Sequence, residues 1–180
     1  MYKLMKASTD LNQAVVQSGA SLRTTEQSFA TLANTMSEKT GKSMSSILTI
    51  FGEIAKAGVF TAEQLEQVGI AAILMEKYVD VAVKDTVALF KKLKEDPTEA
   101  VLAFAKANGQ LSIATLEQVR SLQLQGRSAE AAAIAIKAAS DASVRMAKDT
   151  FESMSPLEKV WINFKEGIVG GTNALTRLLN

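Results

Sequence analysis

Gly41-Lys42-Ser43 resembles the end of a phosphate-cradling loop. Such a cradle needs another glycine five residues earlier and a strand leading into it. The earlier position is Met36 and the preceding segment has helical spacing. The run therefore reads as a turn between two helices, with Ser43 as the cap of the second. Carboxylates are the next candidates: Glu63 with Glu66, Glu95 with Asp96 and Glu99, and Asp149 with Glu152. Hydrolysis by a carboxylate pair requires a concave site in which the two pKa values are pushed apart. Lysines and helix starts surround these pairs, so they read as solvated helix faces and caps.

Two basic stretches, Lys91-Lys92-Leu93-Lys94 and Arg120 with Arg127, could touch phosphate. Acids flank them, and lysines near a helix C-terminus are expected from the helix dipole alone. Net charge is +1, from 20 basic and 19 acidic residues, which argues against a dedicated nucleic-acid binder. Trp161 and Phe164 could form a binding hot spot. Three apart on an amphipathic helix, they read first as core. The chain has no histidine and no cysteine. The usual general base near neutral pH, the commonest zinc ligand and the thiolate nucleophile are therefore all missing. No catalytic, cofactor-binding or metal-binding residue is assigned, and no cofactor is expected.

The elements that would position any site are helices. With 47% apolar and 22% charged residues, the 180-residue chain has an ordinary globular balance and enough length for one modest core or two small helical subdomains. Only Pro97 and Pro156 interrupt it, which suits long helices. Leu65, Val68, Ala72, Met75 and Val79 recur at steps of three and four, with Ile70, Ile73 and Leu74 on the other sides. A helix apolar nearly all round belongs at the centre of a bundle. Thr61 with Gln64 predicts a capping box at its start, and Gly58 ends the helix before it.

Asp96-Pro97-Thr98-Glu99 and Ser155-Pro156-Leu157-Glu158 each place a capping side chain, a proline without an N–H to waste, and a carboxylate at the positive helix end. Further helices are predicted at about 4–17, 24–39, 44–56, 81–93, 97–107, 113–125 and 129–154. Val83, Val87 and Phe90, then Val101 and Phe104, then Leu116, Val119 and Leu122 form their apolar faces. The last of these helices is alanine-rich through Ala132, Ala133, Ile136 and Ala139, and small residues let neighbouring helices approach closely. After Pro156, Leu157, Val160, Trp161, Phe164 and Ile168 form an aromatic-rich stripe, followed by Gly167, Gly170 and Gly171. No secretory signal is visible, and the longest strongly apolar stretch, 68–75, is far shorter than the ~20 residues of a spanning helix. The expected fold is all-α: a multi-helix bundle of successive helix–turn–helix pairs, about eight helices, or an extended form of the same rods. The expected organisation is an N-terminal helical region at 1–94, a helical subdomain at 95–155, and the start of a further helical segment at 156–180.

A set of motifs then carries a family resemblance. Gly58-Val59-Phe60-Thr61-Ala62-Glu63-Gln64-Leu65 is followed by Val68. Asp85-Thr86-Val87 and Phe90 precede Asp96-Pro97. Leu111-Ser112 leads to Glu117-Gln118-Val119-Arg120-Ser121-Leu122. Gln125-Gly126 precedes Ala129-Glu130-Ala131-Ala132-Ala133, and Leu157-Glu158 precedes Trp161. In order and spacing, over roughly 100 residues, this resembles the tail-length tape-measure proteins of phages and prophages. Asn108-Gly109-Gln110 replaces an aromatic–His–aromatic triplet frequent in that family, and Leu116 replaces a frequent tyrosine, so the resemblance assigns no role to that loop. The first 55 residues share only general helical character.

The resemblance implies a structural tail component: a segment of the ruler that sets tail-tube length during assembly and occupies the tube lumen. It implies the tail tube protein, the tail assembly chaperone and tail tip proteins as partners, with self-association open. It implies the virion as location, after assembly in the host cytoplasm; no specific nucleic acid is expected, on the charge balance given above. The chain is taken as a fragment of a longer ruler. The alternative is a helical adaptor or chaperone-like protein-binding module. An enzyme is disfavoured because carboxylates alone would have to do all the chemistry.

Overall fold

The computed structural model describes residues 2–17 and 22–155. Among them are eight helices and no strand: α1 (Tyr2–Gln17), α2 (Leu22–Thr40), α3 (Met44–Lys56), α4 (Ala62–Val79), α5 (Val83–Glu95), α6 (Pro97–Asn108), α7 (Ile113–Leu124) and α8 (Ser128–Ser153). The fold is all-α, as the sequence predicts. Gly19, the Ser155-Pro156 helix start, the Trp161 stripe and the glycines beyond it lie wholly or partly outside the described residues.

Helix ends follow local chemistry. Thr61 accepts a hydrogen bond from the Gln64 backbone N–H at 3.3 Å, while the Gln64 side chain accepts from the Thr61 N–H at 3.1 Å, completing the expected capping box. Asp96 accepts from the Glu99 N–H at 3.1 Å, with Pro97 at the start of α6. Ser43 caps α3 through the Ser46 N–H at 3.2 Å. Three starts differ from expectation by two residues: α1 and α2 begin earlier, at Tyr2 and Leu22, and α5 begins later, at Val83 rather than Val81. Asp80 adopts a left-handed conformation at φ 60° as the C-cap of α4, and its N–H and that of Val81 both return to the Met75 carbonyl. Those bonds close off the α4 end and delay the next helix by two residues.

Packing centres on α4, which touches α2, α3, α5 and α8. Its Leu65, Val68, Ala71, Ala72, Ile73 and Met75 are buried, as expected of a helix apolar on most sides. The first three helices assemble on one another, chiefly α1 on α3, and dock on α4 through α2 and α3. On the other side α8 lies along α4 and also receives α5, α6 and α7. One apolar cluster runs from Ala7 in α1 to Ala142 in α8, so residues 1–94 and 95–155 share a core.

The α4–α8 seam is parallel. The Ser140 hydroxyl donates to the Gln67 carbonyl at 2.9 Å, and the Tyr78 and Phe151 rings meet edge-on at 5.2 Å. Both pairs share the same separation in sequence, so the two helices keep register over three turns. The residues that α8 buries are mostly small, among them Ala131, Ala132, Ala135, Ala139, Ser140, Ala142, Ser143 and Ala147. Ala133, counted with them in the sequence, points to solvent.

Candidate interaction surface

Several of the residues with chemical potential in the sequence are held by structural bonds. Lys42 pairs with Glu76 on α4 at 2.8 Å, and Ser43 is occupied as a cap. The neighbouring Lys77 ammonium donates to the Thr40 carbonyl at the C-terminus of α2. Two adjacent α4 side chains therefore hold the Gly41-Lys42-Ser43 turn against the bundle, and α2, not a strand, precedes it. This is a helix–helix turn, as the sequence reading expects.

The carboxylate pairs do not converge. Glu63, Glu66, Glu95, Asp96, Glu99, Asp149 and Glu152 are all exposed. Asp96 serves as a cap, and Glu152 lies 3.7 Å from Lys148 one turn away. Among the described residues no group of three His, Cys, Asp or Glu side chains is placed to hold a metal ion. In the lysine run, Leu93 is buried, and the Lys94 ammonium reaches the Gln64 side chain at 3.4 Å. Arg127 forks onto Glu130 with bonds of 2.7 and 2.6 Å at the start of α8. The hydrogen bond from Arg127 holds the Glu130 carboxyl below its ordinary value, and the same bond raises the guanidinium. Both groups are exposed, so solvent screens the pair.

What remains is surface shape. Four large apolar side chains stand out among the described residues: Met5, Leu102, Ile113 and Leu124, the last 79% exposed. Leu102 and Leu124 line one groove between α6 and α7, with Asp96, Thr98 and Glu99 on the α6 lip and Arg120 and Gln123 on the α7 lip. Thr98 Oγ1 and Gln123 Oε1 lie out of solvent there without a hydrogen-bond partner. A second groove, lined by Met5, Leu11, Phe29, Met44 and Leu48, runs between the first three helices. These features suit protein contact rather than turnover.

The sequence reading placed Leu116, Val119 and Leu122 on the apolar face of α7. The structure buries Val119 and Leu122 and half-buries Leu116. Leu124 lies outside that expected face. Its signal was its offset of two from Leu122, which on a helix turns it about 200° away from the core face.

Residues 1–120 match the family model described as prophage tail length tape measure protein. The chain belongs to this family. Its match takes in α1 to α6 and most of α7, including the first helices, where the motifs themselves carried only helical character. Tape-measure proteins of this family are structural components of the phage tail. No curated protein and no solved structure matches the chain. No helix among the described residues of this tape-measure chain is long and apolar enough to cross a membrane.

Proposed function

We propose that this chain is a segment of the ruler that sets tail-tube length during tail assembly, that it lies in the tube lumen of the finished virion, and that it performs no catalysis. The family match over residues 1–120 carries this reading. The physical logic supports it. A helix rises 1.5 Å per residue, so helical length converts sequence into distance linearly. In the bundle the longest helix, α8, with 26 residues, spans about 39 Å.

The compact bundle is the form of the segment before assembly, and in the tube it unpacks into a slender rod. As one continuous helix, 180 residues would reach about 270 Å. The stretches 1–94, 95–155 and 156–180 then follow one another along that rod. Partners are the tail tube protein along the lumen, the assembly chaperone before threading, the tail tip proteins at one end, and further copies of the chain. Assembly takes place in the host cytoplasm.

Site-specific photo-crosslinking tests lumen occupancy. With a photoreactive residue at exposed Ala103, irradiated tails should yield an adduct with the tube subunit. Intact tails that give adducts only with tip proteins would contradict it.

A further inference from the structure

We propose that the α6–α7 groove is a two-fold face on which a second copy of this chain docks. This gives a location to the self-association named above, but it stands on the groove alone and does not need the tail role. Leu102 and Leu124 are 43% and 79% exposed and line the same depression. Exposed leucines are ordinary one at a time; two converging on one groove are not. The groove also holds Thr98 Oγ1 and Gln123 Oε1, shielded from solvent with no partner in the monomer. Such groups are uncommon in finished surfaces because each forfeits its hydrogen bond to water. Both residues are only partly buried, so rotation of their side chains can offer them to an incoming donor.

Charge selects the occupant. The acidic residues, Asp96 and Glu99, sit on the α6 lip and the basic one, Arg120, on the α7 lip. Arg120 and Glu99 form no ion pair within the described residues. A two-fold axis running along the groove lays α6 of one copy over α7 of the other. Leucines then face leucines, and each acidic lip faces the partner's Arg120. The groove is complementary to itself, which is the requirement for an isologous contact. A wholly acidic or wholly basic partner would meet one favourable and one unfavourable lip.

Sedimentation velocity of the 180-residue chain over a concentration series tests this, with the melting temperature of each variant as a check on folding. The chain should form a dimer that weakens with added salt. L124E, at an exposed position, should keep the melting temperature and weaken the dimer by about tenfold or more. Arg120→Glu should also weaken it, and the exchange Arg120→Glu with Glu99→Arg should restore it to within about threefold. A chain that stays monomeric at every concentration would overturn the proposal. So would a dimer indifferent to L124E, or failure of the charge exchange to restore a dimer lost in Arg120→Glu.

Discussion

Gly69 on α4 is filled by the ring of Phe51 on α3: a Cβ built at Gly69 would lie 2.1 Å from Phe51 Cε1 and 2.8 Å from its Cζ. Phe51 is fully buried and packs on Phe29, with ring centroids 5.3 Å apart, so it has no room to retreat. The absent side chain lets α3 sit close on α4, and it links the first three helices to the rest of the bundle.

Gly69→Ala should therefore destabilise the fold. In an exposed helix interior this substitution stabilises by about 1 kcal/mol. Here the overlap reverses the sign, and overpacking costs about 1–3 kcal/mol. Chemical denaturation checks this, with Phe51→Leu introduced alongside as the relieving change. The double variant should recover part of the loss; an alanine variant as stable as the parent would show that α3 and α4 are not in close contact.

The caps of α4 and α6 make a second prediction. Thr61→Ala and Asp96→Ala should each cost about 1 kcal/mol, because each leaves a helix-start N–H without its acceptor. Asp96→Asn should keep most of the stability, since the amide oxygen still accepts. The two alanine changes sit at different helix starts and should add in thermal denaturation.

The α4–α8 seam predicts a size limit at Ser140. Ser140→Ala removes one bond to the Gln67 carbonyl and should cost about 1 kcal/mol. Ser140→Leu must also force apart helices that approach through small residues, and should cost about 1–3 kcal/mol more. Equal effects of the two substitutions, measured by denaturant titration, would place Ser140 outside the seam.

Glu130 carries the pH prediction. Its carboxyl is held below its ordinary value by Arg127, so the folded state releases this proton more readily than the unfolded chain. The stabilisation is present above the unfolded pKa and is lost as pH falls through the lower, folded one. Carbon-13 NMR titration should find the Glu130 midpoint below that of a free glutamate and see it rise in Arg127→Ala. At this exposed position the melting temperature near neutral pH should hardly move.

The helices and their ends were legible because their causes are local. Thr61 with Gln64, Asp96 before Pro97 and Ser43 after Gly41 each satisfy their own helix start within three residues. Asp80 escaped notice because left-handed caps are usually glycine, and its shift moved the start of α5. Partner choice was far less visible. The alanines of α8 announced close approach but not that α4, across a gap of 73 residues, would be the neighbour. Nor could Gly69 be told from any other helical glycine, since its role depends on a ring that arrives from α3. Composition showed only that histidine and cysteine chemistry is missing, whereas the α6–α7 groove depends on how two helices with weak apolar patterns lie side by side.

The proposed ruler role requires that this segment convert residues into tail length. An in-frame deletion of a helical stretch from the parent gene, followed by electron microscopy of the tails, measures that directly. Removing the codons of α6 to α8 should shorten every tail in proportion to the residues lost, by up to about 1.5 Å per residue. Tails of unchanged length, assembled from the shortened protein, would contradict the account.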